Sequence, residues 1–204
     1  MNRIATWGTR GDLFGFRDGT NNINTSDRAA MEKFVWAKAS DGASWMAGGS
    51  YLAVRQIRML IKDWDDSVLE EQEDVFGRAK STGAPLSGGS EFTQPDFSKL
   101  ASNGKPAINP ESHVALAHPQ HNGGIRILRR AFNYANSDDP KGAADVGLLF
   151  MAYQRDLSRQ FVAMQRQLSE HDLLNEYIQH TASAAFAAPP GTAPGGYIGE
   201  TLLA

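Results

Sequence analysis

The sequence predicts an α+β domain built on an antiparallel sheet, and three stretches carry that expectation. Tyr51–Ile61, YLAVRQIRMLI, combines β-branched and aromatic residues with partial alternation, the pattern of a half-buried strand. Val146–Tyr153, VGLLFMAY, is an apolar run short enough to be a buried strand. Leu157, Phe161, Met164 and Leu168 then recur at helical spacing, giving an amphipathic helix over Asp156–Ser169. Strands and helices mix without the even recurrence that a parallel β–α–β sheet demands.

In chain order, Met1 to Asn24 reads as loop, with Gly8, Gly11, Gly15 and Gly19 permitting tight turns. Ser26 to Ala37 has roughly helical spacing, although Phe34-Val35-Trp36 equally suits the opening of a strand. Gly48-Gly49-Ser50 breaks the chain before the Tyr51–Ile61 strand. Ser67 and Glu70 form a capping-box pair, which predicts a helix to about Arg78. Lys80 to Pro110, rich in Gly, Ser, Pro and Lys, reads as a long ordered loop. Ile125–Tyr134 reads as a strand and Asn136–Gly142 as a turn. Asp156 is the expected N-cap of the following helix. A second short helix is expected over Asp172–His180, and the small residues from Ala182 onward read as loop.

At 204 residues the chain makes one domain, or one large domain with extensions. A chain of this size buries about 70% of its unfolded surface. Its net charge is -3, and Arg and Lys are scattered apart from Arg126, Arg129 and Arg130, so no nucleic-acid footprint is expected. The absence of cysteine excludes disulfides, thiolate ligation, iron–sulfur clusters and cysteine nucleophiles. No apolar run reaches the roughly eighteen residues of a membrane span. The opening, MNRIATWGTRGD, has no apolar signal core, and a candidate site motif begins as early as Gly15. A missing upstream part is therefore expected.

Two stretches carry the chemistry. Glu111–Tyr134, ESHVALAHPQHNGGIRILRRAFNY, places His113 beside an apolar flank and Arg129 at the end of a strand-like run. Gly15–Asn22, GFRDGTNN, pins Asp18 between glycines. An imidazole is the usual protein ligand to haem iron, and it must be fixed at one nitrogen to present the other. A carboxylate near bound peroxide takes a proton from one oxygen and delivers it to the next. A fixed guanidinium stabilises charge on the leaving oxygen. Each residue also has a plainer reading: His113 as a satisfied core histidine, Asp18 as an Asx-turn residue, Arg129 as half of a solvated pair with Arg130. His118 and His121 join His113 as three nearby nitrogen donors suited to zinc or non-haem iron, but no second ligand cluster accompanies them. Phosphate-binding and Ser-His-Asp patterns are absent. Trp36, Trp45, Trp64 and Tyr153 are core candidates that would also serve a buried haem as electron relays.

Taken in order, GFRDGTNN, GGSYLAVRQIRMLI, the EEQ and FGR ahead of TGAPL, SHV and LAHP ahead of ILRRAFNY, and GLLFMAYQRDL resemble the dye-decolourising peroxidase family from about Gly11 to Leu203. The likeness is greatest to the branch of secreted deferrochelatase/peroxidases of bacterial iron uptake. It implies a ferredoxin-like α+β fold, an antiparallel sheet with packed helices akin to chlorite dismutases. Residues 1–204 would be the C-terminal haem-binding domain of a longer dimeric protein, without its N-terminal ferredoxin-like domain. It further implies one haem b per chain, with His113 as proximal ligand to the iron, Asp18 as distal acid–base group and Arg129 as distal arginine. Gly19, Thr20, Asn21, His118, Pro119 and Gln120 would contact the haem, and Glu176 would be the acidic partner of His113. Ala131 replaces the glycine of the family's LRRG, and AHPQ at 117–120 replaces an ANPR-like segment whose arginine meets a propionate.

The implied activity is a haem peroxidase that uses hydrogen peroxide to oxidise dyes, phenols or ferrous iron. Because Asp18 must be ionised to act as base, activity is expected to favour mildly acidic pH and to fall once Asp18 protonates. Its partners would be peroxide, a reducing substrate, and either a second copy or the missing N-terminal half, with no nucleic acid and no membrane span. A periplasmic or extracellular setting follows from the resemblance, with the cytoplasm as the alternative. The rival is a haem-binding deferrochelatase module that handles haem iron without turnover, needing His113 but neither Asp18 nor Arg129. A third reading is a silent ferredoxin-like subunit without haem.

Overall fold

The computed structural model describes residues 11–136 and 144–203. Its centre is β1 (Ser50–Met59), flanked antiparallel by β4 (Val146–Gln154) and β5 (Ile178–Ala188). On the outer side of β4 lie two short strands, β2 (Leu128–Arg129) and β3 (Phe132–Ala135), giving the order β2–β4–β1–β5 with β3 also on β4. That order and the helices between the strands make the ferredoxin-like α+β fold. Register fixes which side chains share a face. Arg129 and Ala53 both oppose Ala152, Arg55 opposes Phe150, and Ile57 opposes Leu148. Directly paired residues point the same way. One face of the sheet therefore presents these three rows together.

The helices cover that face. The first, α1 (Arg28–Phe34), starts where the Asp27 carboxylate accepts the Ala30 N–H at 3.0 Å, and it buries Met31 against Ile23, Val35 and Leu128. Two short helices, α2 (Ile61–Asp66) and α3 (Leu69–Phe76), follow β1. The Ser67–Glu70 capping box does not form. The Ser67 hydroxyl instead donates to the Trp64 carbonyl at 2.8 Å, closing α2, and α3 has Val68 at its N-cap, without a side-chain hydrogen bond there. The long loop after α3 is ordered by Arg78, whose guanidinium donates to the Gly83 carbonyl at 2.6 Å and the Glu91 carbonyl at 3.0 Å. It leads into α4 (His113–Ala117).

The Asp156 N-cap forms as expected, its carboxylate accepting the Arg159 N–H at 2.9 Å. The helix it opens is first wound as a π turn over Leu157–Val162 before α5 (Ala163–His171). Gln160 explains the wide turn: its buried amide donates to the Phe34 carbonyl at 2.8 Å and the Arg126 carbonyl at 2.7 Å, pulling the turn toward two other segments. The helix expected over Asp172–His180 is only a 3-10 turn, Leu173–Glu176. The residues read as loop from Ala182 are the body of β5, paired with β1 as far as Ala188. A last helix, α6 (Glu200–Leu203), ends the described chain. The Ile125–Tyr134 strand is broken at Arg130-Ala131 into β2 and β3. Beyond Asn136, the expected turn lies outside the described residues.

Candidate haem site

A cavity lies between the sheet face and α4 with α5. On its helical wall is His113, the first residue of α4. Ser112 is fully buried and caps the helix, its hydroxyl accepting the Ala115 N–H at 3.4 Å. Gly77 makes this packing possible. It ends α3 with φ 81°, and a β-carbon there would stand 2.7 Å from the Ser112 Oγ.

His113 Nδ1 lies 2.7 Å from Asp172 Oδ2. The other Asp172 oxygen accepts the Leu174 N–H at 3.0 Å, and the carboxylate is buried. With Nδ1–H donating to the carboxylate, Nε2 is the nitrogen left to face the cavity, and it has no partner among the described residues. Burial works against the His113 imidazolium, but the charge and hydrogen bond of Asp172 outweigh it and hold the pKa above the ordinary value.

Here the structure corrects one expectation. The acidic partner of His113 is Asp172, not Glu176. Asp172 precedes the 3-10 turn and points inward as its N-cap, while Glu176 at the far end of the turn is exposed.

The opposite side of the cavity is made by the GFRDGTNN loop and β2. Phe14 and Phe16 anchor the loop in a core with Trp64 and Phe76. Phe16 stacks on Phe76 at 4.0 Å, and Phe76 meets the His113 ring edge-on at 6.2 Å, so one aromatic cluster braces both walls. Gly15, at φ 88°, turns the chain between the two phenylalanines. Asp18 follows at the cavity, with Oδ1 accepting the Gly19 N–H at 2.6 Å and lying 3.6 Å from Arg129 Nη2. This is an ion pair without a close hydrogen bond, and both side chains are about one-third exposed (38% and 31%).

The sequence does not single out Asn22, yet it fixes this wall. Its Nδ2 donates to the Arg129 carbonyl at 2.8 Å while its Oδ1 accepts the Arg129 N–H at 2.9 Å, sewing the loop to β2. Glu91, from the long loop, adds an ion pair to Arg17 and accepts from the Thr20 hydroxyl at 3.3 Å. Asp12, also on the cavity, is pushed up to about 7, chiefly by burial and further by Asp18, against the Phe16 N–H that its carboxylate accepts at 3.0 Å.

Of the other expected contacts, Gly19, Thr20, Asn21 and His118 line the cavity. Pro119 and Gln120 do not. The helix ends at Ala117, and the chain turns away so that Asn122 reaches the Ala117 carbonyl at 3.0 Å. His118 and His121 pack on Phe97 at 5.0 and 4.4 Å, and no three-ligand metal cluster forms among the described residues. Trp64 is fully buried in the cluster beside His113, whereas Trp36 is partly exposed.

A single histidine fixed at one nitrogen on an apolar wall, facing a carboxylate and a guanidinium, is the donor set for an iron tetrapyrrole rather than for a bare ion. The family comparison agrees. The model of the C-terminal region of Dyp-type peroxidases matches residues 9–193. The chain belongs to this family. Dyp-type peroxidases are haem enzymes.

The chain is 40% identical over 195 residues to the dye-decolorizing peroxidase of Thermobifida fusca, covering 94% of this chain and 45% of that one. It is 38% identical to the deferrochelatase of Escherichia coli K12, covering 94% of this chain and 46% of that one. The oxyferrous complex of DtpA from Streptomyces lividans superposes over the whole chain and 56% of its own, with a TM-score of 0.90 at 40% identity. The Dyp-type chain described here thus spans about half the length of the curated relatives it matches.

Proposed function

We propose that this Dyp-type domain is the haem-binding, catalytic half of a peroxidase that uses hydrogen peroxide to oxidise dyes, phenols or ferrous iron. The observation that carries the proposal is the pairing of two walls: His113 fixed by Asp172 on one, Asp18 beside Arg129 on the other. His113 Nε2 is the iron ligand, and the cofactor is haem b, one per chain. Bound there, haem supplies the redox iron at which peroxide is reduced.

The chain's own residues do the rest. Asp172 keeps the Nδ1 proton and fixes the plane of the ring, so that Nε2 is presented at one angle. Asp18 would take one proton from the peroxide and return it to the oxygen that leaves as water. Arg129 neutralises the charge that grows on that oxygen, from a position set by the Asn22 clamp. Phe14, Phe16 and Phe76 hold the carboxylate loop at a fixed height above the helical wall. The working protein joins this domain to an N-terminal half or to a second copy.

The test is an absorption titration of the chain with haemin, repeated with His113→Ala, followed by hydrogen peroxide. A saturable Soret band at one haem per chain, lost in the variant and shifted by peroxide, is expected. An unsaturable band, unchanged in the variant, overturns the proposal. Turnover of Asp18→Asn with haem retained separates this function from iron removal alone, which needs only His113.

A further inference from the structure

Around His113 and the GFRDGTNN loop, on the two walls of the cavity, the acidic groups have assigned partners. Asp172 is bound to His113, Asp18 faces Arg129, and Asp12 accepts from the Phe16 backbone. Farther along the same sheet face this balance fails. Arg55 projects into the cavity from the middle of β1, between Phe150 on β4 and Ser183 on β5. Its guanidinium lies over the Phe161 ring, 5.0 Å from the centroid. Its Nε is buried and has no hydrogen-bond partner, and no carboxylate pairs with it among the described residues.

The neighbouring row brings His180 to the same cavity, adding a nitrogen donor and no acid. Burial depresses the Arg55 pKa, and burial together with Arg55 depresses that of His180. A buried N–H with no acceptor, as at Arg55 Nε, is unfavourable unless an acceptor arrives. Its planar fork best matches two oxygens on one atom, and the flanking Phe150 and Phe161 rings suit a flat apolar body attached to them.

We propose that Arg55, with His180 beside it, forms a subsite for a carboxylate or sulfonate carried by a molecule in the cavity. Strand spacing and rise place it about 12 Å across the sheet from Arg129, so it binds and orients rather than takes part in oxygen chemistry. Two sources offer such an anion: a propionate of the tetrapyrrole, or the anionic substituent of an aromatic electron donor. The first rests on the haem reading above. The second does not.

Arg55→Gln and Arg55→Lys, made in the full chain, distinguish the sources through two probe pairs. Haemin is compared with its dimethyl ester by Soret titration. Naphthalene-2-sulfonate is compared with naphthalene-2-sulfonamide by calorimetry on the haem-free chain. Arg55→Gln is expected to weaken the charged member of one pair at least tenfold, to leave its neutral partner unchanged, and to be partly rescued by Arg55→Lys. Loss confined to haemin assigns a propionate, and loss confined to the sulfonate assigns a substrate anion.

Charged and neutral probes that respond alike in both pairs overturn the subsite. If the chain takes up no haemin, the haem reading fails while the sulfonate pair still decides the subsite. Should Arg55→Gln lose both members of a pair through unfolding, Arg55→Lys decides, by a several-fold loss for the charged probe alone.

Discussion

The two walls of the cavity solve different problems. On the helical wall the polar groups that set His113 in place are committed. Ser112 caps the helix, and the two oxygens of Asp172 go to His113 and to Leu174. Across the cavity, the backbone under Arg129 is clamped by Asn22, but its guanidinium stands 3.6 Å from Asp18 and both remain partly open. The first arrangement holds a ligand still. The second holds two charged groups in position, with both side chains still open to the cavity. A metal ligand needs orientation, whereas an acid–base group needs reach.

Substitutions should separate the walls. His113→Ala is expected to have the largest effect, loss of the saturable Soret band with haemin affinity reduced at least about 100-fold. Asp18→Asn should leave haemin affinity within about twofold and lower peroxide turnover roughly 10²- to 10⁴-fold. Equal losses of binding and turnover in that variant would place Asp18 in the scaffold instead.

Asp172→Asn falls between them, with haemin affinity down about 10- to 100-fold. It should also lower the His113 pKa, because burial then acts without the carboxylate. Proton resonances of His113 in the haem-free chain report this directly. The sign for stability follows from the raised pKa. The Asp172–His113 contribution is present below the ordinary imidazole range and is lost as pH rises through the higher folded value. A wild-type stability curve that stays flat there, or an Asn variant with the same decline, would refute it. Glu176→Gln, on the exposed end of the turn, should change none of these readings.

The same division separates what the sequence reveals from what it conceals. His113, Asp18 and Arg129 stand in distinctive local wording, and β1, β4 and the Asp156 cap follow from periodicity and capping chemistry. The partner of His113 is harder to see. Asp172 and Glu176 lie four residues apart, and only the 3-10 turn, with Asp172 as its inward N-cap, decides between them. Asn22 acts 107 residues along the chain from its partner, and no local pattern announces that pairing. The strand β5 is hidden for a different reason. Its Ala- and Ser-rich run has almost no buried side chain, so pairing with β1 rather than apolar alternation makes it a strand. Ser67 shows the converse, since a correct capping-box spacing is overridden when the preceding helix takes the hydroxyl.

The smallest expected effect concerns the open wall alone. Asp12 is held neutral to about pH 7, mainly by burial, with Asp18 adding to the shift and the Phe16 N–H opposing it. In the unfolded chain an aspartate loses its proton near pH ~4. Between these values the folded state binds the extra proton, so stability should fall as pH rises from about 4 to about 7 and level off beyond. Asp12→Asn retains an oxygen for the Phe16 N–H but cannot ionise, so it should flatten that slope and exceed the wild type in stability near pH 8. Urea midpoints measured across this range decide the matter. Parallel curves would mean that Asp12 ionises freely. A difference in slope confined to pH 4–7, leaving the Asn variant ahead at pH 8, would show that the fold keeps the Asp12 carboxyl neutral below about 7.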